Sequence, residues 1–422
     1  EAEDRATAFG LSAVPTGTAG ETLFFGLAGT NALDKSLVIP FFPADKEHFL
    51  EYDIAKLLQG LSTEARPVVA LLSGLTMAPG FDPATGQVGE GWVIDGELRG
   101  LFDLRRLDRD TPRIGDDVDA LVVVHPRDLP EQALYAIDQY VLAGGHLLAF
   151  VDPWSDADPN ASAAAPPASD LAPLFAAWGI AYDPARVVLD PRLALQVQPS
   201  AERPPVRHPA FLGIGPEYMN QDDVITSGLD TVNVAAAGSI GLAADSPLSL
   251  EPLVQTSSRA VLVDSRRLAG LADPEQLYEG LEGEGGTHTL AARASGHLRT
   301  AFPEYADREG HLAQSLRPAN LVIVADTDLL ADRLWVQVQR FLGQRLFNPF
   351  ASNGDLVVNA VDNLVGSADL IAVRTRAGAT RPFTRVEALR RQADDRFRTK
   401  ERELQAELAE TEQRLAQLQD GG

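Results

Sequence analysis

Residues 119–153, DALVVVHPRDLPEQALYAIDQYVLAGGHLLAFVDP, constrain the fold of this chain more than any other stretch. Ala120–Val124 and His146–Val151 are short, almost wholly apolar runs. That is the pattern of strands covered on both faces of a parallel sheet. Between them Pro130 suits the first turn of a helix over 131–143, with Leu134, Ile137, Val141 and Leu142 on its buried face. Gly144-Gly145 stops that helix, and the spacing predicts a βαβ crossover. His125-Pro126 and Asp152-Pro153 then fall at the carboxyl ends of the two strands, where open parallel sheets hold their ligands.

The rest of the chain extends this pattern. Residues 21–42 predict two short strands around a Gly, Asn and Asp turn. A helix follows over 45–60, with Asp45 as N-cap, Phe49, Ile54, Leu57 and Leu58 as its stripe and Gly60 as its end. Residues 66–74 read as another two-faced strand, 171–178 as a helix ending at Trp178-Gly179, and 185–190 as a strand. Residues 317–342 predict a strand, the acidic loop Asp326-Thr327-Asp328, and a helix continued by Leu334, Val338 and Leu342. Residues 353–366 predict a helix capped by Asn353 and stopped by Gly366, with a last strand over 370–376. Residues 154–170, rich in Pro, Ala and Ser, read as a surface loop, and 191–315 as peripheral strands and long excursions.

From Thr384 to Gln419 there is neither Gly nor Pro. Leu404, Leu408, Thr411, Leu415 and Leu418 recur at spacings of 4, 3, 4 and 3, a heptad seam on a charged helix. Such a helix either packs on its own domain or projects as a coiled coil. The fold class is therefore α/β, a parallel-sheet core with peripheral β-strands and a long charged C-terminal helix. The expected divisions are 1–20, 21–383 and 384–422.

The 422 residues carry a net charge of −24. That charge repels phosphate backbones and argues against nucleic acid as a partner, and it leaves no basic face for anionic lipid. The absence of cysteine removes disulfides, thiolate metal sites and cysteine nucleophiles together. No apolar run approaches the ~18–20 residues of a membrane span. The chain starts at Glu1 with neither Met nor a signal peptide, so any targeting or membrane segment is expected outside it.

Three constellations bear on chemistry. His125, at a strand end, has the place of a general base; with no G-x-S-x-G elbow to serve, it fits a turn better. Asp326 and Asp328, with Asp152 as a third carboxylate, suit Mg²⁺ or Ca²⁺. The competing reading is a cap in which Asp326 or Thr327 accepts the amides of Leu329 and Leu330. Asn353 and Asp355 open a helix and have the same two readings. There is no G-x-G-x-x-G, no P-loop and no H-E-x-x-H, and the seven histidines lack metal-ligand spacing. No catalytic residue, metal or cofactor is expected. The candidate ligand contacts are His125, Asp152, Asp326, Asp328, Asn353 and Asp355.

Five collinear stretches, 31–58 (NALDKSLVIPFFPADKEHFLEYDIAKLL), 120–153, 291–303 (AARASGHLRTAFP), 325–330 (ADTDLL) and 353–376 (NGDLVVNAVDNLVGSADLIAVRTR), resemble the GldG family. The resemblance implies an auxiliary subunit of an ABC-type transport system, associated with gliding motility, that works with a permease and an ATPase. It implies the extracytoplasmic (periplasmic) domain of an inner-membrane protein held by membrane helices at both ends. Its core would be similar to the class I glutamine amidotransferase fold without the catalytic residues. Residues 1–20 would be the tail of a truncated N-terminal thioredoxin-like segment, and 384–422 would lead toward the last membrane span. No catalytic residue carries over; the matched positions, among them His125, Gly144, Gly145, Asp152, Asp326, Asn353 and Asp355, are architectural or ligand-contacting.

Three functions follow as expectations. The first is a binding or assembly domain that relays substrate or partner contact to the membrane complex. The second is a degenerate hydrolase or carbohydrate-binding protein built around His125 and Asp326. The third is a scaffold that self-associates through 384–422.

Overall fold

The computed structural model describes residues 2–15, 22–32, 34, 36–42, 50–62, 65–82, 87–158, 167–198, 204–271, 273–281, 285–341 and 344–366. The heptad stretch, the strand expected over 370–376, and Asp45, Phe49 and Leu342 lie outside the described residues. Among the described residues, no helix is long and apolar enough to cross a membrane.

The fold is mixed α/β around a central, mostly parallel sheet. Its described strands are β1 (Val68–Ser73), β2 (Asp103–Arg106), β3 (Ala120–Val124), β4 (His146–Phe150), β5 (Leu248–Gln255), β6 (Thr289–Gly296) and β7 (Ala319–Val324). They lie in the order β5-β6-β7-β4-β3-β1-β2. The pairs from β2 across to β7 are parallel, and β6 and β5 run antiparallel at one edge. Four helices cover this sheet: α1 (Val93–Leu101), α2 (Glu131–Leu142), α3 (Ala172–Trp178) and α4 (Asn353–Val365).

The alternation of side chains explains why these strands read as unbroken apolar runs. Leu121, Val123, Leu147, Ala149, Leu321 and Ile323 pack with Ile137 and Val141 of α2 and Leu174 and Trp178 of α3. The intervening Val122, Val124, Leu148, Phe150, Val322 and Val324 pack with Ile94 and Leu98 of α1 and Leu356 and Val361 of α4. A strand buried on both faces has no polar side to show.

The β3-α2-β4 unit forms as its sequence predicts. Gly144 has φ +100°, its amide donates to the Val141 carbonyl (2.9 Å), and the Gly145 amide donates to the Tyr140 carbonyl (2.9 Å). These are the paired bonds of a Schellman stop, which needs a residue without a Cβ at the left-handed position. Pro130 stands just before the first helical residue rather than within the helix.

Elsewhere the structure departs from the sequence expectations. Residues 191–315 are not peripheral throughout, for they supply β5 and β6 of the central sheet. Glu251 and Pro252 in β5 hide its strand signal, and an edge strand tolerates Pro252, while Arg293 hides the central place of the strand β6. Val336–Phe341 and Gln344–Pro349 form an antiparallel hairpin where the Leu334 and Val338 spacing predicts a helix. Val336 and Val338 alternate with Gln337 and Gln339, and that period of two with β-branched residues prevails. The helix Leu50–Ser62 runs through Gly60 instead of ending there. A Cβ on Gly60 would lie 2.6 Å from Leu37 Cδ1, so the glycine serves close packing on the hairpin Leu27–Thr30/Ser36–Ile39. Leu58 is exposed and lies off that helix's buried stripe.

Candidate functional site at the carboxyl ends of the central strands

β3, β4 and β7 are neighbours, so the residues that follow them gather at one edge of the sheet. Asp152, Asp326 and Asp328 are 0% exposed and His125 is 1% exposed. A buried carboxylate must find donors, and each of these finds them mostly on the backbone.

Asp326 Oδ1 accepts the amides of Asp328 (2.7 Å) and Leu329 (3.2 Å), and its Oδ2 accepts the amide of Ala235 (2.7 Å). Asp152 Oδ2 accepts both the amide (2.7 Å) and the hydroxyl (2.6 Å) of Thr327, while its Oδ1 accepts the amide of Trp154 (2.8 Å). Asp328 Oδ2 accepts the amide of Asp156 (2.8 Å), with Arg333 Nη2 at 3.2 Å, and its Oδ1 accepts the amide of Ala157 (3.0 Å). The cap reading of Asp326 therefore holds for Leu329. Leu330 instead donates to the Thr327 carbonyl (3.2 Å), and the turn so closed is a single 3-10 turn over Asp328–Leu330.

Asn353 is the first residue of α4 and does not cap it; Ser352 holds the N-cap position. Its Oδ1 accepts the Asn233 amide (2.9 Å), and its Nδ2 donates to the carbonyls of Asn233 (2.7 Å) and Leu329 (2.9 Å). It thereby ties α4 to the strand Val232–Ala235 and to the acidic turn. Asp355 is exposed on the first turn of α4. There its charge adds to burial in raising the Glu97 carboxyl.

His125 has φ +50° and donates its amide to the Phe150 carbonyl (3.0 Å), so it turns the chain at the end of β3. Its Nε2 lies 3.3 Å from Asp158 Oδ2, which also receives Arg127, and its Nδ1 is buried without a partner. Burial holds the imidazole below its ordinary pKa, against the pull of Asp158, so the ring is neutral near pH 7.

Burial also raises the carboxyls of Asp152 and Asp326 well above the usual range. The charges of Asp326 and Asp328 add to the effect on Asp152, and Asp328 adds to the effect on Asp326. Asp328 is raised by burial to about 6, against the opposing charge of Arg333. A carboxyl whose folded pKa exceeds its unfolded value contributes stability below the unfolded value, and that contribution disappears as pH rises through the folded one. Asp328 should therefore contribute a loss of at most about 3 kcal/mol between roughly pH 4 and 7. Urea unfolding across that range should show a shallower decline for Asp328→Asn than for the native chain; equal slopes would contradict the assignment.

Both oxygens of all three strand-end carboxylates already accept hydrogen bonds. A cation at this edge would have to displace backbone amides. Among the described residues, no three His, Asp or Glu side chains are grouped to hold a metal ion. A cavity of about 480 Å³ at Arg127, Asp128, Ser169, Asp170, Asp264 and Arg266 is not lined by Asp152, Asp326 or Asp328.

The structure thus joins Asp152, Asp326, Asp328 and Asn353 in one network. His125 reaches it through the loop that carries Asp156, Ala157 and Asp158. Arg127, Asp158, Arg333 and Asn233 complete the arrangement, and no sequence motif marks them. The single clue is Asn233, a polar residue inside the apolar run VNVA.

The sequence model of a family described as an ABC-type uncharacterized transport system matches residues 66–360. No curated protein matches at a significant level. Among solved structures, the chain is similar to the N-terminal domain of mmIFT52, at 11% identity and a TM-score of 0.37, over 71% of this chain and 98% of that one. It is also similar to a ThuA-like protein from Bacteroides uniformis, at 12% identity and a TM-score of 0.33, over 72% and 94% of the two chains. A β-galactosidase from Rahnella aligns at 13% identity and a TM-score of 0.29, over 66% of this chain and 32% of the enzyme. TM-scores this low carry no argument about fold or function.

Proposed function

The chain belongs to the ABC-type uncharacterized transport system family and is an auxiliary component of such a system, and from that premise we propose that it is a non-catalytic, extracytoplasmic binding or assembly domain of the GldG type. Its sheet is of the class I glutamine amidotransferase kind, used for binding. Its partners are the permease and the ATPase of the same system, and contact with substrate or a periplasmic partner is relayed to the membrane through residues 384–422.

One observation carries this reading. The carboxylates at the strand ends, where an enzyme of this architecture would keep groups open to substrate, are consumed by backbone amides. His125, Asp152, Asp326, Asp328 and Asn353 then shape the edge that a ligand or partner meets, and Asp355 stands at its exposed margin.

Copurification of the intact protein from membranes tests the proposal. Recovery of an ABC permease and ATPase is the expected result, and a protein recovered without either would overturn it. One contact favours the hydrolase alternative, the His125 ring oriented by Asp158. Ester or glycoside hydrolysis that is lost in His125→Gln would support that alternative. Light scattering with and without residues 384–422 addresses the scaffold alternative, which fails if both forms are monomers.

A further inference from the structure

A cavity of about 860 Å³ lies at the opposite, amino-terminal edge of the sheet, between α2 and the loops that enter β3, β4 and β7. Tyr135 and Tyr140 give it an aromatic wall. Two side-chain donors on its lining are without partners among the described residues. Arg317 meets no hydrogen-bond acceptor or carboxylate among the described residues, and the Nδ1 of His146 is buried and unbonded. A Cβ on Gly144 would lie 2.0 Å from Arg317 Nε, so the glycine that stops α2 also makes room for this guanidinium. Burial, and then the Arg317 charge, hold the His146 imidazole below its ordinary range, so it stays neutral. The rim carries Asp116, Asp119 and Glu309. Asp116 is held by Arg113 at 2.6 Å, and Asp119 accepts the Val68 amide at 2.8 Å.

We propose that this cavity binds a small monocarboxylate with an aromatic or apolar body, its carboxylate on Arg317 and hydrogen-bonded by His146. A guanidinium fork matches a carboxylate in two parallel bonds. A neutral imidazole with its proton on Nδ1 supplies one more donor. The Tyr140 ring, with Ile114, Val118 and Ala136 on the same lining, offers apolar contact to the ligand body, while the Tyr135 ring is held in place by His311 and Arg308. The acidic rim disfavours phosphate and other multiply charged anions, as does the net charge of the chain. The site lies away from the strand-end network and does not rest on the transport reading.

Calorimetric titration of the full 422-residue chain with benzoate, benzamide and inorganic phosphate tests it. Benzoate should saturate with Kd on the order of 1 mM, the range for a ligand of this size. Benzamide and phosphate should bind at least about tenfold more weakly, because each lacks either the charge for Arg317 or the shape for the wall. Arg317→Met should weaken benzoate binding at least about tenfold, with Arg317→Lys intermediate because it keeps the charge and loses the fork. Four outcomes would overturn the proposal: no saturation by benzoate, equal binding of benzamide, equal binding of phosphate, or native-like benzoate affinity in Arg317→Met. The contrast between benzoate and benzamide is read on the native chain and needs no variant to fold.

Discussion

Asp326→Ala is expected to lower the unfolding free energy by about 3–9 kcal/mol, because it leaves three buried amides without an acceptor at roughly 1–3 kcal/mol each. Those amides belong to Ala235, Asp328 and Leu329, and they bind the strand Val232–Ala235 to the end of β7. The loss is comparable with the ~5–15 kcal/mol total stability of a typical protein. Asp326→Asn keeps one oxygen and should fall between the two, its amide facing at least one donor with another donor. The urea midpoint, with circular dichroism as the signal, reads the order native, Asp326→Asn, Asp326→Ala. A cost below about 1 kcal/mol for the alanine variant would mean that the carboxylate is not structural.

Arg293→Met should cost about 3–5 kcal/mol, the range for breaking a buried ion pair from one side. Arg293 sends Nε to Asp223 Oδ2 and Nη2 to Asp223 Oδ1, both at 3.1 Å, and Nη1 to Asn320 Oδ1 at 3.1 Å. Asp223 is 0% exposed and Arg293 6% exposed, so the methionine leaves a charge in the core without its guanidinium. The double variant Arg293→Met/Asp223→Asn should be more stable than Arg293→Met alone, because it removes the stranded charge as well. A double variant as unstable as the sum of the two single ones would show that the pair does not interact. This contact joins β6, the strand next to the edge, to the segment after Met219, and it accounts for a charged residue in the middle of a central-sheet strand.

That arginine also shows where sequence reading stops. The β3-α2-β4 unit is legible because each of its signals is local: two apolar runs, a helical stripe, and a double glycine at the left-handed stop. The strand β5 and the central place of β6 are not, because Pro252, Glu251 and Arg293 are explained only by an edge position and by a partner about 70 residues away. The 336–349 hairpin offered two periods at once, and the period of two prevailed once Phe347 and Pro349 were there to pair with Val338 and Val336. At the candidate site, the acids after β4 and β7 are legible because strand ends are marked by where apolar runs stop. Their partners are not. Asn353 bonds Asn233 across 120 residues, and Asp152 bonds Thr327 across 175. A carboxylate that caps and one that binds a cation look alike until the amides around it are placed.

The most direct measurement is the thermal unfolding midpoint in millimolar Ca²⁺, Mg²⁺ and Mn²⁺ against the same protein in chelator. An ion that binds the folded chain raises its midpoint. With the oxygens of Asp152, Asp326 and Asp328 already held by amides, the midpoint should be the same in every ion and in chelator. A saturable rise that disappears in Asp326→Asn would show a carboxylate site open to a cation, and would contradict the claim that this edge of the sheet serves the fold and its contacts rather than chemistry.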